Sequence, residues 1–194
     1  GGDLYDFIHV DHDTLGIAIA DSSGHGLPAA LQARDVATGL RMGVARDFKL
    51  QRVVEKLNGI IHRSGLVSRF ISLIFGELEK NGNFSYINAG HPPALLRGPH
   101  GMSELSVGGT LRGPQADAGY KLGFAHIDRG ATLSMVTDGV IERGVETGDM
   151  FGDARVKEWL EAWPAGPAHE AVDDLIQRVT AFGDGRPLED AVTV

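Results

Sequence analysis

The sequence predicts an α+β sandwich in which helices pack on the outside of antiparallel sheets. Amphipathic helical patterns lie near both ends of the chain, and strand-like segments joined by short turns fill its middle. The chain has 194 residues, of which 42% are hydrophobic, so it is long enough for one domain with a sizeable core or at most two small ones. We expect a single domain over residues 1–194.

The first third of the chain predicts a strand followed by two helices. Small and β-branched apolar residues over 14–20 form a strand-like run that ends at Asp21. Apolar residues at i, i+4 spacing predict a helix over 27–44. A second amphipathic pattern covers 50–61, and Gly65 is expected to end that helix.

The middle of the chain changes to strand-like patterns. Residues 70–78 and 84–89 predict two strands, and Asn-Gly-Asn at 81–83 favours a hairpin between them. Further strands are predicted at 94–97, 120–124 and 131–137.

Two helices and a short strand are predicted to close the chain. Apolar side chains at 156, 159, 160 and 163 line one helical face, and those at 172, 175, 176, 179 and 182 line another. Residues 191–194 predict the final strand.

Composition excludes several classes of function. The chain has 26 acidic and 18 basic residues, a net charge of −8, and no Lys/Arg-rich run, which argues against a nucleic-acid binder. The absence of cysteine excludes disulfide scaffolds, thiolate zinc sites and cysteine-nucleophile phosphatases, and it fits a cytoplasmic location. The apolar runs are far shorter than the ~20 residues of a membrane span. Because the first residue is Gly1 rather than Met, we expect a fragment of a longer signalling protein.

Four aspartates lie at the ends of predicted strands or beside glycine: Asp3, Asp21, Asp138 and Asp190. For each one taken alone, a turn or a helix cap is the simpler interpretation, because Asp is a common turn residue. Together they suggest carboxylates that point into one pocket. A set of oxygen ligands without cysteine suits hard cations such as Mg²⁺ or Mn²⁺.

Five motifs in order carry a family resemblance. They are Gly-Gly-Asp-Leu-Tyr-Asp at 1–6, Asp-Ser-Ser-Gly-His-Gly-Leu-Pro-Ala-Ala-Leu at 21–31, Asn-Ala-Gly-His-Pro-Pro-Ala at 88–94, Val-Thr-Asp-Gly-Val-Ile-Glu at 136–142 and the closing Asp-Ala-Val-Thr at 190–193. In this order they resemble the SpoIIE/RsbU branch of the metal-dependent protein phosphatases (PPM, the type 2C fold). The match covers essentially the whole chain.

The resemblance implies a fold and a set of ligands. The fold would be a four-layer α-β-β-α sandwich of two antiparallel sheets flanked by helix pairs, with two Mn²⁺ or Mg²⁺ ions at one sheet edge. Asp3, Asp21, Asp138 and Asp190 would be metal ligands, together with the backbone carbonyl of Ser22. Asp21 would bridge the two ions, and Asp21 and Asp138 are the candidate catalytic residues.

The resemblance also implies an activity and partners. Two ions that share a water lower its pKa and neutralise phosphoryl oxygens during in-line attack. The usual substrates of this branch are phosphoserine or phosphothreonine on small STAS-domain anti-sigma-factor antagonists, in bacterial partner switching. An upstream sensor or receiver domain would regulate the activity, and the oligomeric state stays open, a homodimer included. The alternative hypothesis is a pseudo-phosphatase that binds its partner in the same cleft without turnover.

The sequence departs from the family pattern at the closing motif. The family usually has two adjacent aspartates there, but Ala191 occupies the second position. In the other register Glu189 would be the ligand and Val192 would stand where a hydroxyl belongs, so we prefer Asp190. The position that matches the catalytic histidine of the eukaryotic type 2C enzymes is Ser23.

Several other polar residues have two interpretations. The run from Asp11 to Leu15 resembles the nucleophile strand of haloacid-dehalogenase-type phosphatases, but that motif requires Thr or Val at its fifth position, so a hairpin turn is favoured. His25 could protonate the leaving group, although a turn or cap histidine is the simpler interpretation. His91 is interpreted as part of a rigid turn, and Asp6 as either a neighbour of the ligands or a surface charge.

Overall fold

The computed structural model describes residues 1–46, 49–63, 70–109, 119–164 and 166–194. These residues contain nine strands and five α-helices. In chain order they are β1 (Leu4–His9), β2 (Thr14–Ser22), α1 (Leu27–Ala45), α2 (Leu50–Arg63), β3 (Ile71–Glu79), β4 (Asn83–Ala89), β5 (Ala94–Gly98), β6 (Gly101–Leu105), β7 (Gly108–Gly109), β8 (Gly123–His126), β9 (Thr132–Ser134), α3 (Asp138–Ile141), α4 (Gly152–Ala162) and α5 (Ala168–Phe182).

The strands form two sheets. The larger sheet has the order β1-β2-β3-β4-β7, and β8 also pairs with β4. The smaller sheet has the order β6-β5-β9. All the pairs are antiparallel except the two-residue strand β7, which runs parallel to β4. The prediction of antiparallel sheets is therefore confirmed apart from this short contact.

Three apolar layers hold the sheets and helices together. The layer between α1/α2 and the larger sheet includes Val36, Leu40, Val53, Leu57, Leu73, Phe75 and Ile87. The layer between the two sheets includes Ile19, Ile74, Phe84, Tyr86, Ala94 and Leu96. The layer between the smaller sheet and α4/α5 includes Leu95, Val136, Val156, Leu160, Leu175 and Val179. The order of layers is helix, sheet, sheet, helix, which confirms the predicted four-layer sandwich.

Turn chemistry sets the register of the two hairpins of the larger sheet. At the first hairpin the amide of Asp13 donates to Asp11 Oδ1 over 2.8 Å, which confirms the hairpin interpretation of this segment. At the second, Gly82 adopts a φ of 94° and the amide of Asn83 donates to Asn81 Oδ1 over 2.8 Å. Both turns lie at the end of the sheet away from Asp3 and Asp21, because β1 and β2 pair in antiparallel register.

Some predicted elements differ from the structure. The strand predicted at 120–124 begins only at Gly123 and continues to His126, because Tyr120 is instead buried against the helix-facing core. The strand predicted at 131–137 is shorter, because Asp138 begins a helix. Residues 191–194 do not form a strand. The Thr137 amide donates to the Thr193 carbonyl, but the Thr193 amide donates to the Thr137 side chain, so no regular backbone pairing develops. Gly65, the predicted helix stop, lies outside the described residues.

Strands β1, β6 and β7 and helix α3 were not predicted. In the part of the chain that the structure describes, every helix is too short or too polar to cross a bilayer.

Candidate metal centre

The four aspartates come from four separate segments that meet at one edge of the larger sheet. Asp3 precedes β1 and Asp21 lies near the end of β2, and the pairing of Leu4 with Ala20 places the two aspartates side by side. Asp138 is the first residue of α3. Asp190 joins them because the Thr137 amide donates to the Thr193 carbonyl over 3.1 Å, which holds the C-terminal segment beside α3.

Two threonine hydroxyls hold the Asp3 carboxylate in place. Thr137 Oγ1 donates to Asp3 Oδ2 over 2.8 Å, and Thr193 Oγ1 donates to the same oxygen over 2.7 Å. Thr137 is fully buried, and its hydroxyl also accepts a hydrogen bond from the Thr193 amide over 3.1 Å. A single network thus connects the start of the chain, the start of α3 and the C-terminal segment.

The environment of the cluster disfavours the negative charge of Asp21 most strongly. Burial raises the pKa of Asp21 to about 7, and the negative charges of Asp138, Asp3 and Asp190 add to this effect. A hydrogen bond to Asp3, which only the protonated Asp21 carboxyl can donate, raises the pKa further. Burial also raises the pKa of Asp138, with contributions from Glu142, Asp190 and Asp3. The four carboxylates therefore lie close enough to repel one another.

Ser22 is held by its side chain, so its carbonyl remains the candidate ligand. The Ser22 side chain is buried, and its Oγ donates to Gln32 Oε1 of α1 over 2.6 Å. The Ser22 amide donates to the Gly2 carbonyl over 3.2 Å. These contacts fix the backbone of β2 immediately after Asp21.

Asp138 and Asp190 are brought together by a close backbone approach. A Cβ atom at Gly139 would lie 2.0 Å from the Ala191 carbonyl oxygen, so only glycine fits at this position. The exposed Asp190 side chain turns back on its own segment, where Oδ1 accepts a hydrogen bond from the Ala191 amide over 2.7 Å.

Glu189, the alternative ligand at the closing motif, is engaged elsewhere. Its carboxylate accepts a hydrogen bond from the buried guanidinium of Arg143 over 2.5 Å, which holds the pKa of Glu189 below its ordinary value. The negative charge of Asp190, in contrast, contributes to the raised pKa values of Asp21 and Asp138. This arrangement favours Asp190 over Glu189 as the candidate ligand of the closing motif.

The remaining polar candidates lie outside the cluster. His25 is exposed and does not cap α1, whose N-cap residue is Gly26. His91 is buried with Nδ1 2.7 Å from Ser72 Oγ, and burial lowers its pKa to about 4. Asp6 accepts two hydrogen bonds from Arg41 of α1 at 2.6 and 2.8 Å, so it ties β1 to the helix.

The residues present fit a hard divalent cation by their chemistry. All the candidate donors are carboxylate or carbonyl oxygens, which Mg²⁺ and Mn²⁺ prefer. The raised pKa of Asp21 means that its negative charge is unfavourable in the protein alone, and a bound cation would stabilise that charge. As the side chains stand, no three carboxylate or imidazole groups among the described residues form a ready ligand set. Binding therefore requires the carboxylates to draw inwards around the ion.

Sequence reasoning assigned no role to Thr137, Gln32 or Arg143, which support the site. Thr137 stands directly before a candidate ligand in a quoted motif, and that position is the one signal that could have marked it. Gln32 contacts Ser22, 10 positions away in the chain, and Arg143 contacts Glu189, 46 positions away. Neither contact can be predicted without knowledge of the fold.

Comparisons with known proteins point to one family. The family model described as Stage II sporulation protein E (SpoIIE) matches residues 11–194. Phosphoserine phosphatase RsbU of Bacillus subtilis is 28% identical over 192 residues, which cover 97% of this chain and 57% of RsbU.

Two solved structures show the same fold. The PP2C phosphatase domain of SpoIIE from Bacillus subtilis matches with a TM-score of 0.84 at 15% identity, covering 99% of this chain and 56% of that one. The SiaA-PP2C domain of Pseudomonas aeruginosa matches with a TM-score of 0.83 at 19% identity, covering 99% and 78%.

The chain matches only part of the length of its curated relatives. The chain spans 57% of the length of RsbU and 35% of the length of a second curated relative, protein IcfG of Synechocystis. The family model, in contrast, accounts for nearly all of this chain. With its PP2C-like sandwich and the acidic cluster at one sheet edge, the chain belongs to the SpoIIE family.

Proposed function

We propose that this chain is the catalytic domain of a metal-dependent phosphoprotein phosphatase that hydrolyses phosphoserine or phosphothreonine. The observation that carries the proposal is the convergence of Asp3, Asp21, Asp138 and Asp190, where burial and then the charges of the other three carboxylates raise the pKa of Asp21 to about 7. A relative that covers nearly the whole chain, RsbU, is named a phosphoserine phosphatase.

The side chains have distinct roles in this proposal. Asp21 is affected by the charges of Asp138, Asp3 and Asp190, and it would contact both of two Mn²⁺ or Mg²⁺ ions. Asp3, Asp138, Asp190 and the Ser22 carbonyl would complete the ligands. When bound, the ions would lower the pKa of a water molecule and offset the charge of the phosphoryl oxygens.

The chain's own groups prepare the site for this chemistry. Thr137 and Thr193 both donate to Oδ2 of Asp3, which fixes the orientation of this carboxylate. Gln32 holds Ser22 by its side chain, so that the carbonyl need not be displaced for binding. Because the chain lacks cysteine, it has no thiol that could form a phosphoenzyme.

We further propose a protein substrate and a place in a signalling pathway. The substrate would be a phosphorylated serine or threonine on a small STAS-domain anti-sigma-factor antagonist, in bacterial partner switching. The basis for this proposal is membership of the SpoIIE family and similarity to RsbU. A sensor or receiver domain of the full-length protein would control the activity.

Hydrolysis of p-nitrophenyl phosphate and of a phosphoserine peptide, measured with Mn²⁺ and with EDTA, tests the activity. We expect turnover that requires Mn²⁺ and that is lost in Asp138→Asn. Asp173→Asn is the matched control, because Asp173 is an exposed carboxylate of α5. An active Asp138→Asn variant would contradict the site assignment. A folded protein with neither turnover nor Mn²⁺ binding would support the pseudo-phosphatase alternative.

A further inference from the structure

The largest fully buried side chain of the described residues is a charged one, Arg143. It lies two residues beyond the end of α3, and 1% of its side chain is exposed to solvent. Burial of an arginine is costly unless its charge and its N–H groups are paired. The partners of Arg143 therefore indicate what the residue stabilises.

All the side-chain partners of Arg143 lie in one segment, the stretch that leads to Asp190. Nη2 donates to the Arg186 carbonyl over 2.7 Å, and Nη1 donates to the Pro187 carbonyl over 2.5 Å. Nη1 also donates to the Glu189 carboxylate. Three acceptors within four residues fix the path of the backbone immediately before Asp190.

The backbone and the guanidinium of Arg143 are themselves held by neighbouring elements. The Arg143 carbonyl accepts a hydrogen bond from the Phe151 amide over 2.8 Å, which anchors it to the start of α4. The guanidinium lies against the backbone of Gly183, where a Cβ would be only 1.5 Å from Nη2. Arg143 is thus held between α3, α4 and the end of α5, and it presents its donors to residues 186–189.

We propose that Arg143 is a positioning residue for the metal centre, and that it aims Asp190 at Asp21 and Asp138. This inference rests on the proposed function. Asp138 and Arg143 lie five residues apart, so one short stretch both supplies a ligand and anchors the segment that supplies another. Glu189 neutralises the buried arginine, which leaves Asp190 as the carboxylate of this segment that serves the cation.

The test measures Mn²⁺ affinity rather than turnover, by following free Mn²⁺ with electron paramagnetic resonance during a titration. Arg143→Lys keeps the charge but replaces a planar fork that reaches three acceptors with a single ammonium group. We expect it to weaken Mn²⁺ binding about 10–100-fold, as is typical when a partner that orients a ligand is lost. Arg143→Met should have at least the same effect.

The matched control is Arg97→Met. Arg97 of β5 also donates to backbone carbonyls at the end of a helix, those of Leu160 and Trp163, but it lies away from the four aspartates. We expect Arg97→Met to lower the melting temperature in EDTA while leaving Mn²⁺ affinity unchanged. A loss of affinity in this control would show a general effect of destabilisation, which would overturn the inference.

A double-mutant cycle with Asp190→Asn separates positioning from a structural role. If Arg143 acts through Asp190, Arg143→Lys will not weaken Mn²⁺ binding further in the Asp190→Asn background. Full additivity of the two substitutions would overturn the inference, as would wild-type affinity in Arg143→Lys. These results differ from a failure of the proposed function, in which the wild-type protein itself would show no saturable Mn²⁺ binding. If Arg143→Met does not fold, the Arg143→Lys cycle still decides.

Discussion

Replacing Asp21 with asparagine is expected to stabilise the metal-free protein, although it removes the proposed central ligand. Burial, together with the charges of the neighbouring carboxylates, raises the pKa of Asp21 from 3.8 to about 7, so ionisation of this carboxyl costs the folded state free energy. Asparagine is neutral at every pH, and its amide can donate to Asp3 as the protonated Asp21 does. Stability gained at the expense of function would identify Asp21 as a site residue.

The magnitude follows from the shift in pKa. A rise from 3.8 to about 7 corresponds to an upper limit of about 4 kcal/mol of unfolding free energy. Because the side chain is only half-buried, solvent screening reduces this to about 1–2 kcal/mol. The folded pKa is raised, so the penalty is absent below about pH 4, grows as the pH rises towards 7 and is then constant. The advantage of asparagine should follow the same course.

Thermal unfolding in EDTA at several pH values between 5 and 8 measures this effect. For a chain of this size we expect Asp21→Asn to melt about 2–8 °C above the wild type at pH 8, with a smaller difference at pH 5. Asp173→Asn, which changes an exposed carboxylate of α5, should show no such pH-dependent gain. A lower melting temperature for Asp21→Asn at pH 8, or a difference that does not vary with pH, would refute the reasoning.

Three further predictions concern the contacts around the cluster. Thr137→Val and Thr193→Val each remove a hydrogen bond to Asp3, so each should cost about 1–2 kcal/mol of unfolding free energy in EDTA and weaken Mn²⁺ binding. Calorimetry that shows no change in either quantity would contradict the role of these hydroxyls. Gly139→Ala places a Cβ 2.0 Å from the Ala191 carbonyl oxygen, so denaturant titration should show a loss of about 1–3 kcal/mol of unfolding free energy. Mn²⁺ binding should weaken as well, and wild-type values of both quantities would contradict the close approach. Arg41→Met breaks the ion pair with Asp6, and because Arg41 is largely exposed, denaturant titration should show only a small loss of stability that disappears at high salt. A large loss that persists at high salt would show that the pair is not screened by solvent.

Much of the fold could be predicted because its elements are regular and long. Helices α1, α2, α4 and α5 and the central strands β2, β3 and β4 have clear periodicity. Helix α3 has four residues, too few for a periodic pattern. Strand β1 escaped prediction because Tyr5 and Phe7 are exposed apolar residues that alternate with Leu4, Asp6 and Ile8.

The candidate ligands could be found from motifs, whereas the residues that support them could not. Asp21 and Asp138 stand beside glycines in short, ordered motifs, so their grouping was predictable from the resemblance. The hydrogen bond from Thr193 to Asp3 joins residues 190 positions apart, and only the folded chain brings them together. The pairing of Glu189 with Arg143 is of the same kind, and it favours Asp190 over Glu189 as the candidate ligand of the closing motif.

The number of Mn²⁺ ions that the protein binds at saturation tests the central claim most directly, because the claim is that four carboxylates form one centre for two cations. The account predicts two ions for the wild-type protein and fewer for Asp138→Asn, with unchanged binding in Asp173→Asn. A wild-type protein that binds no Mn²⁺ saturably, or an Asp138→Asn variant that still binds two ions with wild-type affinity, would contradict it.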